Sequence, residues 1–148
     1  MATGTAGNSG YRLEYDVIHT LIKSVTYLTL NGSGVASGTT NATVVVGNLP
    51  PHAIVLPTIS HVKVIAAFND STADDLDVGV SGSDDNLFHS AMDLNTAPAT
   101  TGFDDLVTAN DYTTTARTVT CNFTSVPTGD GTTGEAIVTV CFVVPRDQ

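Results

Sequence analysis

The stretch "VKVIAAFNDSTADDLDVGVSG", residues 62–82, contains the clearest structural pattern in the chain. Apolar residues recur at every second position on both sides of a polar loop that holds three aspartates. If Phe68 pairs with Leu76, then Val64 faces Val80 and every apolar even-numbered side chain meets another. A shift of one residue would bury charged side chains, so a single register satisfies this face. The stretch therefore predicts an antiparallel hairpin whose polar loop is first of all a connection.

A second pair of apolar segments, "RTVTCNFTSV" and "EAIVTVCFVV", flanks the turn-rich loop "PTGDGTTG". This arrangement also predicts a hairpin, and symmetric folding would place Cys121 opposite Cys141. The second segment is apolar on both of its faces, so it needs cover on both sides. A second sheet would cover one face, and a neighbouring subunit or the N-terminal segment would cover the other. We therefore expect Val138, Val140 and Phe142 to lie in the sheet core or in a subunit interface.

The rest of the chain predicts an all-β fold without an internal domain boundary. A strand is expected over residues 42–47, with a mate over residues 53–56, whereas "NLFHSAMDLN" fits both a helical turn and a strand. About seven or eight short strands separated by turns are typical of a single-domain antiparallel β-sandwich, here of the jelly-roll type. Residues 1–10 are mostly Gly, Ala, Thr, Asn and Ser. That composition predicts a flexible N-terminal arm before a β-sandwich domain of residues 11–148.

The chain of 148 residues has a formal charge of -10, and its five basic residues are scattered. Nucleic-acid binding needs clustered positive charge that releases phosphate counterions, and an anionic membrane surface would repel such a chain. We therefore expect neither a nucleic-acid partner nor a membrane partner. The N-terminus lacks the charged and apolar segments of a signal peptide, so the sequence predicts synthesis in a cytoplasm without ordinary export.

No motif of a known catalytic chemistry appears in the sequence. Ser81 lies in "VGVSGS", which is one residue short of the nucleophile-elbow pattern and is not followed by a helix pattern. The four histidines occur singly, without the spacing of a zinc site, and there is no nucleotide-binding glycine motif. We therefore expect no enzyme activity, no metal and no cofactor. A catalytic site assembled between subunits is the enzymatic alternative that a single sequence leaves open.

Two acidic clusters, residues 69–75 and residues 83–86, offer oxygen ligands of the kind that calcium binds. Their spacing matches no known calcium-binding loop, and a strand of about 20 Å would separate them. Solvated turns therefore explain both clusters better than a calcium site does, although weak calcium binding is the alternative.

The two cysteines, Cys121 and Cys141, both lie in apolar segments. A chain made under reducing conditions has little opportunity to form a disulfide, so we expect buried thiols that pack as small hydrophobic side chains. A disulfide between them is the alternative.

The region from "LPPHA" through "AFND" and "LDVGVSG" to an acidic step and an aromatic residue resembles a module of tailed-bacteriophage structural proteins. Upstream, "RLEYDV" and "YLTLNGSG" also fit this resemblance, which covers most of residues 11–144. Within that group the chain is most similar to head decoration (capsid cement) proteins. The resemblance implies a jelly-roll homotrimer that binds the outer surface of a capsid, with the major capsid protein as its partner. Such a protein would be made in the host cytoplasm and would stabilise the shell as part of the virion.

The resemblance also implies which parts of the chain contact the shell. Decoration proteins of this kind tie neighbouring capsomers together with a flexible N-terminal segment and the base of the β domain. By position alone, the expected capsid contacts in this chain are Ala2, Thr3, Tyr11, Arg12 and Tyr15. The alternative function is a glycan-binding or receptor-binding jelly-roll module of a phage fibre. Sugar rings stack on exposed aromatic side chains, and the best candidate for such a platform is Tyr112.

Overall fold

The computed structural model describes six segments of the chain. These are residues 17–26, 41–69, 75–82, 84–104, 114–124 and 133–144. The predicted N-terminal arm lies outside them, and so do the expected capsid contacts Ala2, Thr3, Tyr11, Arg12 and Tyr15. Within the six segments, no helix has the length and hydrophobicity of a membrane-spanning helix.

Nine strands and one 3-10 helix make up the regular structure of these segments. The helix is Pro57–Ile59, and proline suits its first position because the ring fixes φ near the helical value. The strands are β1 His19–Thr26, β2 Asn41–Leu49, β3 Ile54–Val55, β4 His61–Ala66, β5 Asp75–Val80, β6 Asp84–Asp93, β7 Ala99–Gly102, β8 Arg117–Thr124 and β9 Glu135–Val143. β-Branched residues are frequent in these strands, since their side chains pack well on a pleated surface.

The strands form two antiparallel sheets that pack face to face around one core. The first sheet has the order β1-β9-β4-β7, and β3 also pairs with β9. The second sheet has the order β2-β8-β5-β6. If β3 is set aside and the remaining strands are lettered B to I, the two sheets are B-I-D-G and C-H-E-F. This is the order of the double Greek-key jelly roll, so the predicted all-β sandwich of the jelly-roll type is confirmed.

The predicted hairpin of residues 62–82 is wrong, although its buried face is correct. β4 belongs to the first sheet and β5 to the second, so the loop between them crosses from one sheet to the other. Val62 and Val64 are buried in the first sheet, and Leu76 and Val78 are buried in the second. Alternation identifies the buried face of a strand but not its hydrogen-bonded neighbour. The buried side chains of the two strands therefore belong to opposite sheets and to one shared core.

The second predicted hairpin is wrong for the same reason. β8 lies between β2 and β5 in the second sheet, whereas β9 lies between β1 and β4 in the first. Cys121 is therefore opposite Val44 and Val78. The expected mate of β2 is also incorrect, because β3 pairs with β9 instead. Among the described strands, only β5 and β6 are neighbours both along the chain and within a sheet.

The segment that fits both a helical turn and a strand is the strand β6. Its register against β5 is irregular, with one extra residue between His89 and Met92. Within this bulge, Ala91 has a φ of 53°, a left-handed conformation that residues other than glycine adopt infrequently. The backbone N–H of Ala91 donates a hydrogen bond of 2.7 Å to Asp77 Oδ1. The carboxylate thereby satisfies a backbone group at the irregular position.

Side-chain pairs connect the two sheets along the edge that β6 and β7 form. The rings of Phe88 and Phe103 stack with their centroids 6.1 Å apart. Beside them, His89 Nδ1 lies 2.5 Å from Asp104 Oδ1. The His89 side chain is buried and the Asp104 side chain is exposed. Because β6 and β7 are edge strands of different sheets, these contacts hold the sandwich closed on this side.

Gly79 lies where the start of β6 passes over β5. A Cβ atom at this position would overlap with the backbone of Asp84 and Asp85. Backbone atoms cannot move aside as the end of a flexible side chain can, so the close approach requires glycine. Gly102 at the end of β7 differs, because the nearest atom to a Cβ there would be the carbonyl oxygen of Ser60, at 3.9 Å.

We expect Gly79→Ala to lower the free energy of unfolding by about 1–3 kcal/mol, because the added methyl group forces β5 and β6 apart. Gly102→Ala is the matched control, since it adds the same methyl group in open space and should change stability by less than about 1 kcal/mol. Urea denaturation followed by circular dichroism measures both variants. Equal stability of the two variants would contradict the close approach at Gly79.

Candidate functional site

Polar side chains of the acidic loops serve as acceptors for backbone groups. After β4, Asn69 Oδ1 accepts a hydrogen bond of 3.0 Å from the backbone N–H of Thr133. Outside both clusters, at the end of β6, the Asp93 carboxylate likewise accepts bonds of 2.7 and 3.0 Å from the N–H of Asn95 and the hydroxyl of Thr96. In the described segments, no group of three or more His, Cys, Asp or Glu side chains is placed to hold a metal ion. Residues 70–74 and Ser83 of the two acidic clusters lie outside these segments.

The two cysteines are free thiols on different sheets. Cys121 is completely buried in the core, and its Sγ lies 3.6 Å from the carbonyl oxygen of Val44. Cys141 lies on the side of β9 that faces away from the core, under the 3-10 helix, with its Sγ 3.7 Å from the carbonyl oxygen of Ile59. Because the two thiols lie in separate surroundings, a disulfide between them does not fit this structure.

Phenylalanine does not supply an exposed aromatic platform in this fold. All five phenylalanines lie in the described segments and are buried: Phe68, Phe88, Phe103, Phe123 and Phe142. Tyr112 and the three other tyrosines lie outside these segments. A tyrosine would therefore have to provide the stacking surface of any sugar site.

Val138, Val140 and Phe142 lie in the core of the sandwich. The first two are 0% exposed and Phe142 is 5% exposed. The sequence allows these three residues two roles, sheet core or subunit interface, and their positions are those of sheet core. Their contact with another subunit stays a prediction. The outward side of β9, which another molecule could contact, carries Ile137 and Thr139 instead.

The side of the first sheet that faces away from the core is partly apolar. Eight side chains of these strands form a surface that we call the outer face: Ile22, Ser24, His61, Lys63, Ile65, Glu135, Ile137 and Thr139. Ile22 lies opposite Thr139, which makes Ile137 its diagonal neighbour, at about 7–8 Å in an antiparallel pair. Ile22 is 66% exposed and Ile65 is 42% exposed. The outer face therefore presents branched apolar side chains to solvent.

Exposed apolar side chains in the described segments are concentrated around the outer face. The large ones are Val17, Ile18, Ile22, Val45, Ile59 and Ile65. Val17 and Ile18 lead into β1, and Ile59 lies in the 3-10 helix that covers Cys141. Val45 is the exception, because it belongs to the second sheet. Scattered single hydrophobic residues are ordinary on a protein surface, but a group on one face is typical of a binding surface.

The fold is similar to chains in solved phage capsid structures. A chain from the capsid asymmetric unit of cyanophage Pam1 is 20% identical, with a TM-score of 0.60, over 86% of this chain and 85% of that chain. A chain from the capsid of Ralstonia phage GP4 is 17% identical, with a TM-score of 0.63, over 88% of this chain and 86% of that chain. At these identities the similarity establishes a common fold. No protein-family model and no curated protein matches the sequence.

The sequence predicts that both sides of β9 need cover, the outward one from a neighbouring subunit or the N-terminal segment, but its candidate site residues do not include the outer face. It selected the N-terminal arm and the inward residues of β9. A usable signal was nevertheless present, because Ile22 follows Leu21 and Ile65 follows Val64 in the chain. Two consecutive apolar residues in a strand place one side chain on each face of the sheet. Such pairs therefore indicate a sheet that is apolar on its outward side as well.

Burial raises the pKa of the Cys121 thiol from its ordinary value of 9.0 to about 12. A backbone hydrogen bond and the positive charge of Lys23 lower this pKa, but by less than burial raises it. Since the unfolded chain loses this proton above pH 9.0 while the folded chain retains it, ionisation favours the unfolded state. The stability that the neutral thiol contributes is therefore complete below pH 9.0 and is lost as the pH rises towards 12.

We expect Cys121→Ala to make the decline of stability above pH 9.0 shallower. The difference in slope should be up to about 1.4 kcal/mol per pH unit. Urea denaturation at a series of alkaline pH values measures the slope. Val138→Ala is the control, because it shortens a completely buried side chain without removing a titratable group, and it should retain the wild-type slope. An unchanged slope in Cys121→Ala would mean that the folded chain ionises this thiol as readily as the unfolded chain does.

Proposed function

We propose that this chain is a virion structural protein that binds the outer surface of a tailed-phage capsid and stabilises the shell, as a decoration or cement protein. The observation that carries the proposal is the jelly-roll similarity to chains of two phage capsid structures over most of each chain. The sequence motifs that resemble head decoration proteins support it separately. In this proposal the chain has a structural role and no enzymatic one.

In this proposal the protein stabilises the shell by mass action. A protein that binds the intact shell more tightly than its dissociated or strained form shifts the equilibrium towards the intact shell. Free ligand at 100 times its Kd contributes about 2.7 kcal/mol per site in this way. An oligomer that touches several capsomers gains further, because each additional contact is effectively intramolecular.

The proposal includes the major capsid protein as partner and a homotrimer as the binding unit. Synthesis takes place in the host cytoplasm, and the protein leaves the cell on the capsid surface. The formal charge of -10 per chain suits such a component, since like charges keep separate trimers apart before they bind.

The fibre-module alternative has less support. A glycan-binding or receptor-binding jelly roll needs an exposed aromatic side chain near polar groups. All five phenylalanines are buried in the sandwich, so that role would fall to a tyrosine such as Tyr112. The jelly-roll fold itself does not distinguish the two functions, because both capsid and lectin domains use it.

We expect the purified protein to sediment as a compact trimer whose mass is unchanged by EDTA. Sedimentation velocity with and without EDTA measures this. Dissociation in EDTA would show that the acidic clusters bind a cation that joins the subunits. A monomer at all concentrations would remove the homotrimer in solution from the proposal and would raise the fibre-module alternative.

Deletion of residues 1–10 should weaken binding to capsids while leaving the midpoint of thermal unfolding nearly unchanged. The physical reason is that every residue of the observed core follows this segment in the chain. Co-sedimentation with heads assembled without the chain measures binding, and circular dichroism measures unfolding. A control variant that carries a Gly-Ser segment of the same length separates the effect of sequence from that of length. Equal binding by the truncated protein would refute the role of the arm.

A further inference from the structure

Four of the described strands lie at the ends of the two strand orders: β1 and β7 in the first sheet, and β2 and β6 in the second. A strand at the edge of a sheet presents a row of backbone N–H and C=O groups onto which another chain can add. Three of these strands have features that hinder such addition. β7 has only four residues, and the registers of β2 and β6 are interrupted, as at a β-bulge.

The edge strand β1 has none of these features. It pairs with β9 at eight consecutive positions without a shift of register, and it contains no proline. Its charged residue is Lys23, which lies near the middle of the strand. A charged side chain that points inward from an edge strand protects that edge, because an added strand would have to bury the charge. Whether Lys23 points inward therefore decides how the free edge of β1 is protected.

The register places Lys23 on the inward side of β1. It lies directly opposite Val138, which is 0% exposed, and residues directly opposite each other share one face of a sheet. Its neighbours on this face are Leu21, which packs against the core, and Val25, which is completely buried. Although burial raises the pKa of the Cys121 thiol, the positive charge of Lys23 lowers it in part, so this charge acts on the core of the facing sheet. Among the described residues, no carboxylate forms an ion pair with Lys23.

We infer that Lys23 prevents a second copy of this chain from adding to the free edge of β1. Antiparallel pairing of two copies of β1 has a two-fold axis perpendicular to the sheet, so inward side chains stay on the inward side. If residues 20–26 of the two copies pair, Lys23 lies directly opposite the same lysine of the other copy, and like charges in this position are destabilising. A shift by two residues places it opposite Leu21 instead.

In both registers the added strand covers the lysine from the side that is now open. The Lys23 side chain is only partly buried, so its ammonium group can reach water past the free edge. An added strand would remove this water without supplying an opposite charge, and burial of an unpaired charge is costly. An apolar side chain between Leu21 and Val25 would instead pack in the core. The lysine forgoes that packing, and the edge of β1 stays unpaired.

This inference goes beyond the proposed function and does not depend on it. It concerns one edge of one sheet, so a homotrimer that forms through other surfaces is compatible with it.

The test is Lys23→Met, which removes the charge and keeps an unbranched side chain. Sedimentation velocity over a range of protein concentrations measures the mass. We expect this variant to form species larger than the unchanged protein at protein concentrations at least about tenfold lower than the unchanged protein needs. Its midpoint of thermal unfolding at low concentration should equal or exceed that of the unchanged protein, because methionine packs in the core without a charge. An unchanged mass of Lys23→Met at all concentrations would overturn the inference.

Two control variants separate the position and the charge. Lys63→Met makes the same substitution in β4, which pairs with β9 on one edge and with β7 on the other, so it removes one positive charge without opening an edge. Lys23→Arg retains the positive charge at the edge of the sheet. Both should sediment like the unchanged protein. Association of either control equal to that of Lys23→Met would overturn the inference.

Amide hydrogen exchange distinguishes edge pairing from association of unfolded chains. In the larger species of Lys23→Met, backbone amides of residues 19–26 should exchange more slowly than in the unchanged protein, because the free edge becomes hydrogen-bonded. Larger species without this added protection would mean that the association uses another surface or unfolded chains, and would overturn the inference. Each of these results leaves the proposed function intact, since none of them measures binding to a capsid.

Discussion

The pairing of β9 along both of its edges is the interaction on which the rest of the structure depends. On one edge β9 pairs with β1 at eight positions, and on the other it pairs with β4 and then with β3. Its inward side chains, such as Val138 and Val140, are completely buried. Its outward side chains include Ile137, part of the outer face. One strand thus joins the first sheet together, closes one side of the core and contributes to the surface where a partner could bind.

The fold class and the buried faces could be predicted from the sequence, but the strand partners could not. Alternation in β4 and β5 correctly marks Val64 and Val78 as buried, because burial follows from a period of two within each strand. Alternation does not indicate which strand is the hydrogen-bonded neighbour. A strand in the facing sheet covers an apolar side chain as well as a paired strand does. In a jelly roll nearly every connection crosses from one sheet to the other, so strands that follow each other in the sequence are seldom paired. Both predicted hairpins are wrong for this reason.

The candidate site was predicted less well than the fold, also for a physical reason. The inward residues of β9 stand out in the sequence because they form an unbroken apolar series, but burial places them in the core. Ile22 and Ile65 each follow an inward apolar residue, Leu21 or Val64, and such a pair indicates an apolar outward side chain but not which strands lie beside it. Only the register brings Ile22 next to Ile137 on one face. A pair in one strand therefore signals one outward apolar side chain, whereas the surface that three strands assemble follows only from their register.

The place of β9 in the chain has a consequence for synthesis. Thr20 of β1 and its contact Cys141 of β9 are 121 residues apart. At ribosomal speeds of about 5–20 residues per second, β1 waits roughly 6–24 seconds for its partner. Meanwhile its unpaired edge is open to wrong pairing with other nascent chains. Contacts of such long sequence separation also slow folding after release. The cell that makes this protein therefore has to keep unfinished copies apart until translation has passed the final strand.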